Sequence, residues 1–373
     1  MFRLINRAQA RLRLPPPYAP FQRRHSSRKA SDPLRILFCG SDAFSCESLR
    51  ALHREHVKNR ALVEALDVMV LPGRRTGRGL RTVREVPCKI LAEQLNLPIH
   101  QRETFRKWDL PDGTNLVIVV SFGLFVPPRI LASAKYGGLN VHPSLLPDLR
   151  GPAPIHHALL RGDTHMGVSL QTLDDRAFDH GTILAQSPAP GMPIAPDASF
   201  QEVLSAVAVE GAEMLIQGLR DGVHVAPRED VGWKAAALQG KQLVHAPKIT
   251  KADGQIHWSA WTAEQFARRV RVLGSVWTHA VSDRGVRKRV IFLDAGPVAQ
   301  GDVLRQGGEG RLVCEHEGAD EKRAGRHEMK VVLQQDGSCL IGIPGDSWIR
   351  VEKVKVDGKP EQMAAIALGN FVR

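Results

Sequence analysis

Along the first two-thirds of this 373-residue chain, apolar residues gather in short runs of strand length. These are Leu34 to Cys39 (LRILFC), Leu66 to Leu71 (LDVMVL), Leu116 to Val120 (LVIVV) and Leu139 to His142 (LNVH). All four read as strands, and the continuous β-branched run of Leu116 to Val120 predicts one buried on both faces. Between them the pattern predicts helices. One follows Gly40, can be capped by Asp42 or Ser45 and reaches about His53; a second covers Val86 to Leu95; a short third covers Pro128 to Ser133. Pro98 to His100 predicts a short strand, and Ser121 to Pro128 (SFGLFVPP) a turn. Strands alternating with helices in this way predict an α/β, Rossmann-like, doubly wound parallel sheet.

Beyond it, Ile155 to Leu160 reads as a helix, and Gly167 to Thr172 with Thr182 to Gln186 as a hairpin-like β extension. Phe200 to Leu219 is an amphipathic helix whose apolar stripe includes Val203, Val207, Met214 and Leu215. Patterning weakens from Gly222 to about Pro247, which reads as a linker. The texture then changes to a helix near Thr262 to Val272 and short strands at Val290 to Leu293, Arg311 to Glu315, Met329 to Gln334, Cys339 to Ile343 and Trp348 to Lys355. Turns such as Asp336-Gly337 and Asp357-Gly358 separate several of them, which predicts a small β-barrel domain. Glu315 to Glu328 reads as a solvated charged loop.

Composition changes this picture mainly at the N-terminus. The formal charge is +12, yet eight basic residues (Arg3, Arg7, Arg11, Arg13, Arg23, Arg24, Arg28, Lys29) precede the first acid, Asp32; without them 43 basic residues stand against 39 acidic ones. Arg3, Arg7 and Arg11 recur every four residues, Pro15 to Pro17 end any helix, and Ser26, Ser27 and Ser31 follow. An amphipathic, arginine-rich, acid-poor and serine-containing stretch has the composition of a mitochondrial transit peptide, expected over residues 1–33 with cleavage near residues 23 to 33. The competing reading is a basic tail that stays attached. An aromatic content of 5% argues against a protein built on base-stacking platforms. No apolar run approaches the roughly 20 residues needed to span a bilayer. Five scattered cysteines without a CxxC pair predict neither a disulfide framework nor a zinc site.

The candidate chemistry lies in LNVHPSLLPDLRG, Leu139 to Gly151. If Leu139 to His142 end a strand, two-residue periodicity turns Asn140 and His142 to the same side, and Pro143 ends the ladder there. An imidazole exchanges a proton near neutral pH, and a side-chain amide donates to an oxygen gaining charge; together they suit attack on a carbonyl. Asp179 in FDHGTIL is the candidate third member, with Asp174 and Asp175 as competing acids. A metal site built from His142, His156 and His157 is disfavoured, because adjacent helical positions face different ways. A GxGxxG dinucleotide loop, a GxSxG elbow and a Walker A loop are all missing from the sequence.

The combination NVHPSLLPDLRGPAPI followed by FDHGTILAQ resembles the folate-dependent formyltransferases. The resemblance implies an active site of Asn140, His142 and Asp179 on a Rossmann-like domain that needs no GxGxxG. It implies a folate pocket walled by Ser144, Leu145, Leu146 and Pro147 and by Phe122, Gly123 and Leu124, with 10-formyltetrahydrofolate as donor and no metal. RGPAPI with HHALLRGDTHMGVSL looks like the branch of that family acting on methionyl-tRNA, and APKITKADGQIHW (Ala246 to Trp258) resembles the start of that branch's OB-like C-terminal domain. The implied division is a catalytic domain over 34–227, a linker over 228–247 and an OB-like tRNA-binding domain over 248–373. TGRG (Thr76 to Gly79) matches the branch's loop that inserts into the acceptor stem of initiator tRNA, with Arg78 as its key arginine; Arg74, Arg75, Arg81 and Lys248 are expected to join it. Gly73-Arg74-Arg75 stands where Pro-Asp-Arg is frequent in that branch. Arg268, Arg269, Arg271, Arg287, Lys288 and Arg289 form a further candidate phosphate-tracking surface. A monomer in the mitochondrial matrix, without a membrane partner, completes the expectation. The main alternative is a formyltransferase of the same fold acting on a sugar or nucleotide amine.

Overall fold

The computed structural model describes residues 29–233, 243–298, 307–316, 325–345 and 347–373. The basic tail through residue 28 lies outside the described residues, as do 234–242 of the expected linker and 317–324 of the charged loop.

The first domain runs β1 (Leu34–Gly40), α1 (Ala43–Lys58), β2 (Val63–Val70), β3 (Arg74–Thr76), β4 (Thr82–Arg84), α2 (Pro87–Gln94), β5 (Ile99–Gln101), β6 (Leu116–Val120), α3 (Pro128–Ser133) and β7 (Gly138–His142). It continues through α4 (Pro154–Arg161), β8 (His165–Met166), β9 (Ser169–Thr172), β10 (Ile183–Gln186), β11 (Met192–Pro193) and α5 (Phe200–Asp221). Seven strands form one sheet in the order β10-β9-β7-β6-β1-β2-β5. The five from β7 to β5 are parallel, and β9 and β10 extend them antiparallel. Successive residues of β1 divide between two cores. Ile36 and Phe38 join the core beneath α1 and α5, whereas Leu37 and Cys39 join a second one with Phe105, Phe122 and Ile130. Burial on both faces is why these strands carry no polar alternation.

Local signals fix the helix ends. The Asp42 carboxylate accepts from the Ser45 N–H and caps α1. Ser199 and Glu202 form a reciprocal capping box at the start of α5, which ends at Gly222 in the left-handed conformation. The basic stretch expected as a loop is instead a two-stranded ribbon. Strands β3 and β4 pair Arg74 with Arg84, Arg75 with Val83 and Thr76 with Thr82, around a short turn over Arg78–Leu80.

The second domain starts with α6 (Ala263–Leu273) and continues through β12 (Val276–Val281), β13 (Arg287–Val298), β14 (Gly307–His316), β15 (Gly325–Gln334), β16 (Cys339–Ile343), β17 (Ser347–Val356), β18 (Glu361–Met363) and α7 (Ala364–Leu368). The strand order is β13-β12-β14-β15-β16-β17, and pairing of β13 with β17 closes a six-stranded antiparallel barrel, with β18 appended to β17. Closure leaves no open edge among those six strands. Phe266 of α6 and Trp258 meet Phe292 inside it, with ring centroids 5.8 and 6.1 Å apart. Strand β12 was not anticipated, because VWTHAV alternates polar and apolar residues too briefly to stand out.

Hydrogen bonds help to join the domains. The Arg271 guanidinium donates to the Pro196 and Ala198 carbonyls at 2.9 and 3.2 Å, and His157 Nε2 lies 2.9 Å from the Pro247 carbonyl. Arg271 is therefore committed to the junction rather than to a phosphate-tracking surface. Arg269 is likewise engaged, lying 4.5 Å from the Trp261 ring centre.

The residues before β1 are also tied down. Ser31 Oγ lies 2.9 Å from His224 Nε2, the Asp32 N–H donates to the Tyr136 hydroxyl at 2.8 Å, and the Tyr136 and His224 rings meet edge to face. Burial, reinforced by the neighbouring Arg228 charge, lowers the His224 pKa from 6.5 to about 4. Below pH 6.5 the unfolded chain takes up a proton there that the folded chain refuses until about pH 4. This site alone therefore lowers stability by about 2 kcal/mol between pH 7 and pH 5. Replacing His224 by Phe removes that acid sensitivity, and the gap between melting temperatures at pH 7 and pH 5 is expected to narrow. An unchanged gap refutes the assignment.

Candidate active site

The site forms where the parallel strands end. In β7, Asn140 pairs with Val119 of β6 and Gln171 of β9, while His142 pairs with Ser169. Both side chains therefore leave the same face of the sheet, as the two-residue period requires. Asp179 arrives from the β9–β10 connection with φ +59°, a left-handed backbone that aspartate tolerates better than most residues. That conformation is held from outside: Arg150 Nε donates to the Asp179 carbonyl at 2.8 Å.

The Asp179 carboxylate is the hub. Oδ1 accepts from Asn140 Nδ2 at 3.0 Å and from Gln171 Nε2 at 3.2 Å, and lies 3.4 Å from His142 Nδ1. Oδ2 accepts the Gly151 N–H at 2.9 Å. The side chains of His142 and Asp179 are only 6% and 8% exposed, so the pair operates away from bulk water. On its far side, His142 Nε2 lies 3.0 Å from the Leu149 carbonyl. A carbonyl only accepts, so Nε2 carries a hydrogen and Nδ1 is the nitrogen that faces the carboxylate. Leu149 itself has φ +58°, a costly conformation for a branched side chain.

Of the competing acids, Asp174 borders the same cleft as Asp179 but is bonded to its own loop, and Asp175 lies on the surface. Asp174 accepts from the Arg176 and Ala177 N–H groups, and these bonds hold its carboxyl below the usual range. Asp175 lies 3.7 Å from Arg176 on the surface. His156 stacks on Phe200, and His157 faces Pro247, so neither approaches His142. Among the described residues, no group of three or more His, Cys, Asp or Glu side chains could hold a metal ion.

A narrow cleft of about 40 Å³ is lined by Asn140, Gln171 and Asp179 together with Leu124, Phe125 and Phe178. The Phe125 and Phe178 rings meet edge to face at 5.2 Å. Leu124 and Phe125 also border a neighbouring pocket of about 300 Å³ lined by Phe105, Arg106 and Arg129. The expected pocket residues fare unequally. Leu124 lines both cavities, Gly123 is exposed, and Phe122 is buried beneath the loop against Phe105.

Ser144, Leu145 and Leu146 are buried, Pro147 is half-buried, and none of the four lines either cavity. The reason is hydrogen bonding. Ser144 Oγ donates to the Asp148 carbonyl, the Leu146 N–H to Ser169 Oγ, and Gln186 Nε2 to the Leu146 carbonyl. These bonds tie the turn to β9 and β10. Sequence reasoning passed over Gln171 and Phe178. Gln171 was findable only by placing β9 beside β7, which sets it directly opposite Asn140.

On the ribbon, Arg74, Arg75 and Arg81 are exposed. The side chain of Arg78 lies outside the described residues. Lys248 is exposed at the start of the second domain.

A Rossmann-like sheet with this amide, imidazole and carboxylate at its strand ends has the features of a formyl-group transferase. The sequence profile of the family described as Formyl transferase matches residues 34–219. Mitochondrial methionyl-tRNA formyltransferase from Bos taurus is 37% identical over 274 residues, covering 72% of this chain and 64% of that protein. Methionyl-tRNA formyltransferase from Cereibacter sphaeroides is 30% identical over 313 residues, covering 81% of this chain and 94% of that one. The chain belongs to the methionyl-tRNA formyltransferase family. It spans less than two-thirds of the length of the mammalian members it matches, 64% of the bovine and 60% of the human protein. Among solved structures, HypX from Aquifex aeolicus in complex with tetrahydrofolic acid shares the fold, with a TM-score of 0.51 and 16% identity over 91% of this chain and 48% of that one.

Proposed function

We propose that this chain transfers the formyl group of 10-formyltetrahydrofolate to the amino group of methionyl initiator tRNA in the mitochondrial matrix. The observation that carries the reading is the Asp179 carboxylate at the floor of a cleft, bonded to Asn140 and backed by His142. The amine nitrogen attacks the formyl carbon, and the carbonyl electron pair moves to oxygen. One Asn140 amide hydrogen is committed to Asp179, which leaves the other to donate to that oxyanion. Asp179, which lines the cleft, takes the proton released by the amine; His142 Nδ1, behind it, shares that proton. As the oxyanion collapses, the bond between the formyl carbon and the folate nitrogen breaks, and the proton returns to the departing nitrogen.

Leu124, Phe125 and Phe178 offer the apolar walls a pterin ring needs. Small-molecule sites run from about 300 Å³ upwards, so the donor occupies the cleft together with the pocket beyond Leu124 and Phe125. The basic ribbon and Lys248 supply charge for the acceptor stem. The arginine-rich residues 1–33 and the mitochondrial relatives support the address.

A parallel assay decides between acceptors. Labelled formylfolate is offered to charged initiator tRNA, charged elongator tRNA, a nucleotide amine and an amino sugar. Label is expected on initiator methionyl-tRNA. Label on the nucleotide or sugar amine alone overturns the reading.

A further inference from the structure

The three residues Leu149 to Gly151 touch both members of the proton-handling pair. The Leu149 carbonyl receives His142 Nε2, the Gly151 N–H donates to Asp179 Oδ2, and Arg150 Nε donates to the Asp179 carbonyl. This turn is not held by the sheet alone. The segment joining the two domains folds back along it: the Leu149 N–H donates to the Val244 carbonyl at 2.8 Å, and the Ala246 N–H donates to the Arg150 carbonyl at 2.7 Å. Arg150 and His245 form a parallel bridge. Contact is so close that a side chain at Gly151 would come within 2.6 Å of the Ala246 carbonyl, at a backbone φ of +119°.

One side chain anchors both strands of this arrangement. The buried Asp148 carboxylate accepts the Val244 N–H at 3.3 Å through Oδ1 and the Arg161 guanidinium at 2.9 Å through Oδ2. Ala246 is fully buried, and within a few residues the chain reaches the barrel, where Trp277 Nε1 donates to the Lys251 carbonyl at 2.8 Å. The stretch that reads as a linker therefore contributes backbone bonds to the turn that touches the reacting groups.

We propose that Val244 to Ala246 form a positioning strap, with Asp148 as its anchoring residue, that sets the aim of Asp179 and His142 for formyl transfer. This rests on the function proposed above. It makes catalytic geometry depend on the segment that carries the second domain, so that a shift of the barrel is passed to the proton-handling pair through two backbone hydrogen bonds.

The full chain carrying Val244→Pro loses the N–H that reaches Asp148 and keeps the Val244 carbonyl. It is expected to show amide exchange at Leu149 to Gly151 raised by about tenfold or more, and kcat reduced by roughly ten- to a hundredfold. KM values for folate and tRNA stay within about twofold, because neither substrate is bound by the strap. Faster exchange with unchanged kcat overturns the proposal, and so does unchanged exchange. If Val244→Pro does not fold, Asp148→Asn keeps the volume while removing the charge facing Arg161, and the same two readings decide. Absence of transfer by the wild-type protein would sink the functional reading alone; the exchange comparison would still show whether the strap holds the turn.

Discussion

Asp179→Asn is expected to lower kcat by about 10³-fold while leaving the KM values for folate and tRNA within about threefold. The substitution keeps the size of the side chain and removes one charge, so the cleft keeps its shape. It disrupts function in two ways. An amide cannot take the proton that the attacking amine must lose. An amide also presents hydrogens toward atoms that already donate: Asn140 Nδ2 and Gln171 Nε2 at Oδ1, and the Gly151 N–H at Oδ2. Whichever way it rotates, one donor is left facing another in a site that is almost closed to water. His142→Ala is expected to lose less, because His142 stands behind the carboxylate rather than lining the cleft. Steady-state kinetics of the two variants test the order of the groups. A loss at His142 that exceeds the loss at Asp179 would show that the imidazole, not the carboxylate, meets the amine.

The second large effect is expected on the ribbon. Replacing Arg74, Arg75 and Arg81 together by Gln raises the KM for tRNA by roughly 10- to 100-fold near physiological salt and leaves the KM for folate unchanged. The slope of log(kcat/KM) for tRNA against log salt concentration should flatten by about 2, since each neutralised phosphate contributes somewhat less than one. The physical case is in the register. Arg74 stands directly opposite Arg84 in a ribbon of three residues per strand, and like charges in that position repel. Among the described residues, neither has a carboxylate partner. Such a ribbon is at odds with its own charge until a polyanion lies against it. The glutamine variant should therefore hold the hairpin at least as well as wild type, which separates lost RNA contact from lost folding. An unchanged tRNA KM and salt slope would remove the ribbon from the RNA interface.

Much of this molecule was legible before folding was considered. The continuous apolar run of LVIVV, and that of ILFC after Arg35, leave no polar face for solvent, which forces a sheet covered on both sides and hence alternating helices. Asn140 and His142 follow from the two-residue period of one short strand, and the proline after them marks the end of the sheet. Asp179 was reachable as an acid on an exposed turn before a strand, although Asp174 and Asp175 could not be excluded by pattern alone. The split into two domains follows from the change of texture after about Pro247, beyond the weakly patterned linker.

Other features depended on chain segments far apart in sequence. Gln171 reaches the carboxylate only because β9 runs antiparallel beside β7. The SLLP turn was expected as a wall of the folate pocket; its residues line neither cavity, because its hydrogen bonds run to Ser169 and Gln186, more than twenty residues away. Arg271 looked like a phosphate contact and is committed to two carbonyls of the other domain. The segment around His245 read only as a linker because a strand of a few residues without periodicity carries no pattern, yet its backbone bonds to the turn that touches the site. Periodicity reports which side of its own element a residue faces, and so by itself it determined the sheet, the helices and the polar pair at the end of β7. Which distant group meets that pair, and what holds it there, is a matter of hydrogen-bond partners chosen only when the strands and the returning linker pack together. Only the tertiary structure could decide that.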